Sequence, residues 1–113
     1  MKYLMLFCET EQWEKDWEAM DEAEREAAGA RVMAWLAEHS DRITHRAKLA
    51  EPDTATSIRL GGGEPVVTDG PFVEGKEVVS GYVEVDVPDL DEALRMARGW
   101  PGCPLVEIRP IAF

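Results

Sequence analysis

Basic residues are scarce in this chain: 12 Lys and Arg stand against 23 Asp and Glu in 113 residues, a formal charge of −11. That balance argues against a general nucleic-acid binder, because phosphate contacts need clustered cations. Cysteine is nearly absent. Cys8 and Cys103 lie far apart, and such a pair makes neither a disulfide framework nor a metal-ligand spacing. A reduced, cytosolic protein without a metal is therefore expected. Histidine is as rare, with His39 and His45 alone. Long apolar runs are missing, and nothing approaches the roughly 20 residues of a membrane span. The opening MKYLMLFCET has too short an apolar stretch for a signal peptide and meets acid at once. Neither an internal repeat nor a low-complexity segment occurs.

What is present suits one globular domain over residues 1–113, with 45% hydrophobic and 31% charged residues. The acid is unevenly spread. Residues 9–26 hold nine acids against Lys15 and Arg25. Two readings stay open: a solvated helix face, or a docking surface for a basic partner.

Residues 2–8 are apolar on both alternating sets, as expected of a central strand covered on both sides. Residues 10–38 read as helix, with Thr10 as a cap and Trp13, Trp17, Met20, Val32, Trp35 and Leu36 at helical spacing. Asp21 followed by Glu24 resembles a capping box, so the helix breaks or restarts there. Gly29 weakens it slightly. The three tryptophans are expected to be core anchors. RITHRAKLA (42–50) is a polar candidate strand. TATSIRL (54–60) and EPVVTDG (64–70) flank Gly61-Gly62-Gly63 as a hairpin. In 77–87, Val79, Gly81, Val83, Val85 and Val87 share one face, and Val78, Ser80, Tyr82, Glu84 and Asp86 the other. Asp89 caps a second helix that buries Leu90, Ala93, Leu94 and Ala97, and Gly99 ends it. A last strand covers 105–111.

This order predicts an α+β fold: a ferredoxin-like antiparallel sheet with helices on one face and an extra hairpin. The other face would carry Tyr82, Glu84, Glu107 and Arg109 beside apolar Leu105. A face of that mixture calls for a second copy, hence a homodimer whose enclosed polar groups pair or bind a ligand. Arg109 with Glu84 or Glu107 is the expected pair.

Several separated motifs carry a resemblance. Asp69-Gly70-Pro71-Phe72 is followed by Glu74-Gly75-Lys76-Glu77, then by Gly81-Tyr82 and by Asp86-Val87-Pro88-Asp89-Leu90-Asp91-Glu92-Ala93. Val106-Glu107-Ile108-Arg109-Pro110-Ile111 closes the series. In this order they resemble the YCII-related, or DGPF-domain, family, as does the opening Met1-Lys2-Tyr3-Leu4-Met5-Leu6. The resemblance implies a dimeric α+β barrel. It also implies small-molecule binding or chemistry, since a related branch dehydrochlorinates an aromatic ring with a proposed His/Asp pair. Some members are encoded near sigma factors, which allows a regulatory protein partner instead.

Candidate chemistry centres on few residues. Asp69 either bonds its own turn or serves as a general base at a cleft edge. His45, on the candidate strand 42–50, is the better catalytic histidine, since imidazole titrates near neutrality; His39 suits a helix end. His45 with Asp69 is the first pair to look for. Lys76 is a surface ion-pair partner or a cation for a substrate carboxylate or phenolate. Tyr82 offers a hydrogen bond or buries its ring at the dimer seam. Tyr82 or Arg109, with Glu107 nearby, would stabilise developing negative charge in cofactor-free proton-transfer or elimination chemistry. Cys8 is expected buried; Cys103, between prolines, has a loop position open to exposure.

Overall fold

The computed structural model describes residues 1–71 and 77–113. Strand β1 (Lys2–Thr10) leads into helices α1 (Glu11–Ala19) and α2 (Glu22–Glu38), then strand β2 (Ile43–Lys48). A 3-10 turn (Pro52–Thr54) precedes β3 (Thr56–Arg59) and β4 (Val66–Asp69). Strand β5 (Glu77–Asp86), helix α3 (Leu90–Arg98) and β6 (Leu105–Pro110) complete the chain. Four strands form one sheet in the order β2-β5-β1-β6, with every pairing antiparallel. β3 and β4 form a separate two-stranded sheet. The expected ferredoxin-like α+β architecture with an added hairpin is what the protein has.

β1 lies inside the sheet because both of its faces are apolar. Tyr3, Met5 and Phe7 join Val83, Val85 and Val87 of the β5 segment, with Trp35, Ala93 and Met96 from the helices, in one core. Trp35 fixes α2 against α3: its indole N–H donates to the Met96 carbonyl at 3.0 Å. Arg42 and Glu92 form an ion pair beside this core, tying the start of β2 to α3.

The helical region divides where its caps say it should. The Thr10 hydroxyl accepts from the Trp13 amide at 3.1 Å and starts α1. Met20 is extended, and Asp21 with Glu24 makes a reciprocal capping box for α2. The Arg25 guanidinium reaches back to the Trp17 and Glu18 carbonyls, satisfying the end of α1 from the next helix.

Three expectations need correction. Leu90 does not lie on the buried side of α3; it is exposed, and Met96 is buried there beside Ala93. Val79 does not share the buried face of β5; it is 39% exposed. A bulge explains this: Phe7 pairs with Gly81 and Cys8 with Val79, so Ser80 is an extra residue that reverses the alternation. The Ser80 hydroxyl then donates to the Phe7 carbonyl at 3.2 Å. Cys103 is buried rather than exposed, packed in the core cluster at 5% exposure.

Candidate functional site

Two surfaces carry chemistry. The first is the sheet face away from the helices, where the strand registers lay side chains out in rows. One row runs His45, Glu84, Leu4 and Arg109; the next runs Ala47, Tyr82, Leu6 and Glu107. His45 and Tyr82 lie on neighbouring strands, and the His45 Nε2 and Tyr82 Oη are 3.0 Å apart. Arg109 pairs with Glu107 at 2.8 Å, one of the two partners expected for it. The other, Glu84, accepts instead from the Thr44 hydroxyl at 2.6 Å and from Lys2 at 3.4 Å. The Thr44 bond, ahead of the Lys2 ammonium, holds the Glu84 carboxyl below its usual range. Glu84 is therefore the hub of this face, a role its place in the alternation did not reveal. The bulge between Ile43 and His45 brings Thr44 within reach.

The rows also separate groups that the sequence placed together. β2 and β6 are opposite edges of the sheet, so three strand spacings, about 14 Å, divide His45 from Arg109. Asp69 lies on the other sheet, paired with Thr56 in the β3–β4 hairpin, and is exposed. Among the described residues no hydrogen bond joins it to His45. Gly70 after it has φ +96°, a left-handed conformation that glycine adopts without strain. Lys76 lies outside the described residues, as does Phe72. His39 caps α2 and sets its ring against Trp35, with centroids 4.8 Å apart.

The second surface is a cleft of about 950 Å³ between α1, α2 and the sheet. Trp13 and Trp17 stack on one another along α1, with centroids 5.5 Å apart. Both are half-buried walls of this cleft: Trp13 also packs against the core, as its spacing suggested, Trp17 does not, and Trp35 alone of the three is buried. Opposite them, Phe7 stacks on Trp100 at 3.9 Å. α2 contributes Ala28, Gly29, Val32 and Leu36. Gly29 leaves open space where a side chain would stand: a Cβ there meets nothing within 4 Å. The sheet supplies Gly81, whose Cβ would lie 2.9 Å from the Ala47 carbonyl, so that position admits glycine alone without a shift. Polar groups are few and sit among these walls. Lys48 donates to the Ser80 carbonyl at 3.1 Å and lies 4.0 Å from Glu9. Arg31 and Arg46 have no carboxylate partner among the described residues.

At the inner end stands Cys103. Burial raises its thiol pKa, ahead of opposing hydrogen bonds from Trp100 and Ser80. Burial likewise raises Cys8, with Cys103 as the next cause. Both are protonated at neutral pH and are poor nucleophiles. The Trp100 N–H is buried with no nitrogen or oxygen hydrogen-bond partner among the described residues. No cluster of three metal-ligating side chains occurs among the described residues.

This arrangement, a split β-α-β pair with a helix-covered sheet, can be set beside known proteins. The YCII-related domain profile matches residues 1–112. The chain belongs to the YCII-related family. An uncharacterised protein of Rhizobium meliloti is 39% identical over 71 residues, 59% of this chain and 57% of that protein. The chain thus aligns with little more than half the length of that relative. Among solved structures, a 5-chloro-2-hydroxyhydroquinone dehydrochlorinase of Burkholderia phenoliruptrix, in complex with 2,5-dihydroxybenzoquinone, superposes with a TM-score of 0.56. It is 11% identical, with 98% of this chain and 93% of that one covered. At that identity the likeness is one of fold. No helix among the described residues is long and apolar enough to cross a membrane.

Proposed function

We propose that this YCII-related protein binds a small, flat, largely apolar organic molecule in the cleft beneath α1 and α2. One observation carries the reading: about 950 Å³ of space walled by Trp13, Trp17, Phe7 and Trp100. Half-buried indoles are large apolar surfaces with a polar edge, and flat rings stack on them well. The dehydrochlorinase of the same fold holds a dihydroxybenzoquinone, a ligand of that shape. His45, hydrogen-bonded to Tyr82 on the opposite face of the sheet, is the candidate acid or base for a chemical step on that face, apart from the cleft. Asp69, Glu107 and Arg109 remain candidates that would need a second copy to meet it, and Lys76 remains a candidate outside the described residues. A homodimer through the open sheet face belongs to the same reading, since it encloses the His45–Tyr82 pair.

Gly29 provides the test. Gly29→Leu fills the cleft from a helix position with room for the side chain. Titration with 2,5-dihydroxybenzoquinone or an anilinonaphthalene sulfonate dye should quench Trp13 and Trp17 fluorescence in the parent and not in the variant. Gly29→Ala should retain binding and add about 1 kcal/mol of stability in urea unfolding. Equal quenching in parent and Gly29→Leu would place the ligand elsewhere.

One observation favours a second reading. Neither α1 nor α2 has a basic residue in its last turn, although cations are favoured there. Glu18 and Glu38, in those last turns, are kept at a cost in helix stability, as acid would be for a basic protein partner. Glu14 and Glu18 border the cleft, so Glu22 and Glu26 are the cleaner choice for charge reversal. Glu22→Lys with Glu26→Lys should leave dye binding unchanged; loss of a protein partner in that variant supports the docking role.

A further inference from the structure

The β3–β4 hairpin is an arm whose apolar face nothing among the described residues covers. Ile58 and Val67 are cross-strand partners, and Leu60 follows β3 towards the tip; each is more than half exposed. A lone two-stranded hairpin is marginal in water unless such a face is buried. The whole chain shows the same shortfall. It exposes 8137 Å², whereas a compact monomer of its mass exposes about 6,200 Å². Its radius of gyration is 16.1 Å, against about 13 Å for a compact chain of this length. The excess of roughly 1,900 Å² is more than twice the ~800 Å² that each partner buries in a standard interface.

We infer that a second copy of this chain covers the Ile58–Val67 face of the arm. Two arms then clasp a homodimer and carry Asp69, which shares that face, into the interface. The inference rests on the dimer part of the reading above and adds the element that closes it. Charge selects the occupant. Copies of a chain at −11 repel, so they can meet only where charge is low or paired. The strands of the arm carry only Arg59 and Asp69. On the open sheet face Lys2 pairs with Glu84 and Arg109 with Glu107. Both regions also leave apolar groups uncovered, Leu105 among them. A two-fold pairing covers both at once.

Sedimentation equilibrium of the full chain tests this. The arm can be excised cleanly, because its ends meet: the Gly70 amide donates to the Ala55 carbonyl at 2.6 Å. Replacing Thr56–Asp69 by a short Gly-Ser turn, or making Val67→Lys, should raise the dimer dissociation constant roughly tenfold or more. Val66→Lys, on the opposite face, should leave it unchanged. In the unmodified chain, arm amides should gain hydrogen-exchange protection as protein concentration rises. A monomeric parent overturns the dimer and the arm together. A dimer unaffected by excision, or arm protection that ignores concentration, overturns the arm alone. Equal weakening by Val66→Lys and Val67→Lys overturns the choice of face.

Discussion

Glu84 shows how one carboxylate organises a surface. It stands between His45 and Leu4 in the sheet register and accepts from Thr44 and Lys2. Folding lowers its pKa, so the ionised form favours the folded state above the ordinary carboxylate range. That contribution is lost as pH falls through the depressed value. Thr44→Val should move the Glu84 pKa back up towards the ordinary value in an NMR titration, and Thr44→Ser should keep it low. Single residues also mark the limit of what a sequence reveals. The spacing of Trp13, Trp17 and Trp35 correctly assigns them to helix faces turned inward. It does not say whether the space opposite is filled. Trp35 meets Met96 and Phe7; Trp13 and Trp17 meet a cavity. Gly29 reads only as a weak helix residue, because the value of an absent side chain depends on what stands across from it.

At the scale of elements, short-range signals were the legible ones. Thr10, Asp21 and Asp89 cap the helices from within three residues of the amides they bond, so the pattern and the contact are the same information. Asp21→Ala removes one half of the capping box and should cost about 1 kcal/mol in urea unfolding. The break it guards matters to the site, because α1 must turn at Met20 to carry Trp13 and Trp17 over the cleft. The bulge at Ser80 gave no warning. Alternation continues through Val79 and Gly81 in the sequence, and only pairing with β1 shows that one residue is surplus. For the hairpin, Gly61 and Gly63 at φ +94° and +103° supply the turn that the glycine triplet announces. No local signal tells that the strands it joins stand apart from the main sheet.

For the whole molecule, the sheet order was legible from one strand. β1 is apolar on both faces, which suits a central place, and the alternation of β5 and β6 then sorts a helix face from an open face. His45 and Asp69 failed to meet for the same global reason: they belong to different sheets. Both thiols lie in the interior with raised pKa values, caused chiefly by burial. Cys8 and Cys103 should therefore resist aromatic disulfide reagents at neutral pH and react fully only in denaturant, with modification tracking the unfolding curve. The indoles have a consequence of another kind. Trp13 and Trp17 are 5.5 Å apart, and Trp35 and Trp100 are 5.0 Å apart with planes crossed at 81°. At such separations the excited-state transition dipoles of each pair couple. The circular dichroism of this protein then contains an exciton signal overlaid on its helix bands. A guest sliding between the rings of α1 and those of Phe7 and Trp100 touches a member of each pair, so the chain carries its own optical reporter of an occupied cleft.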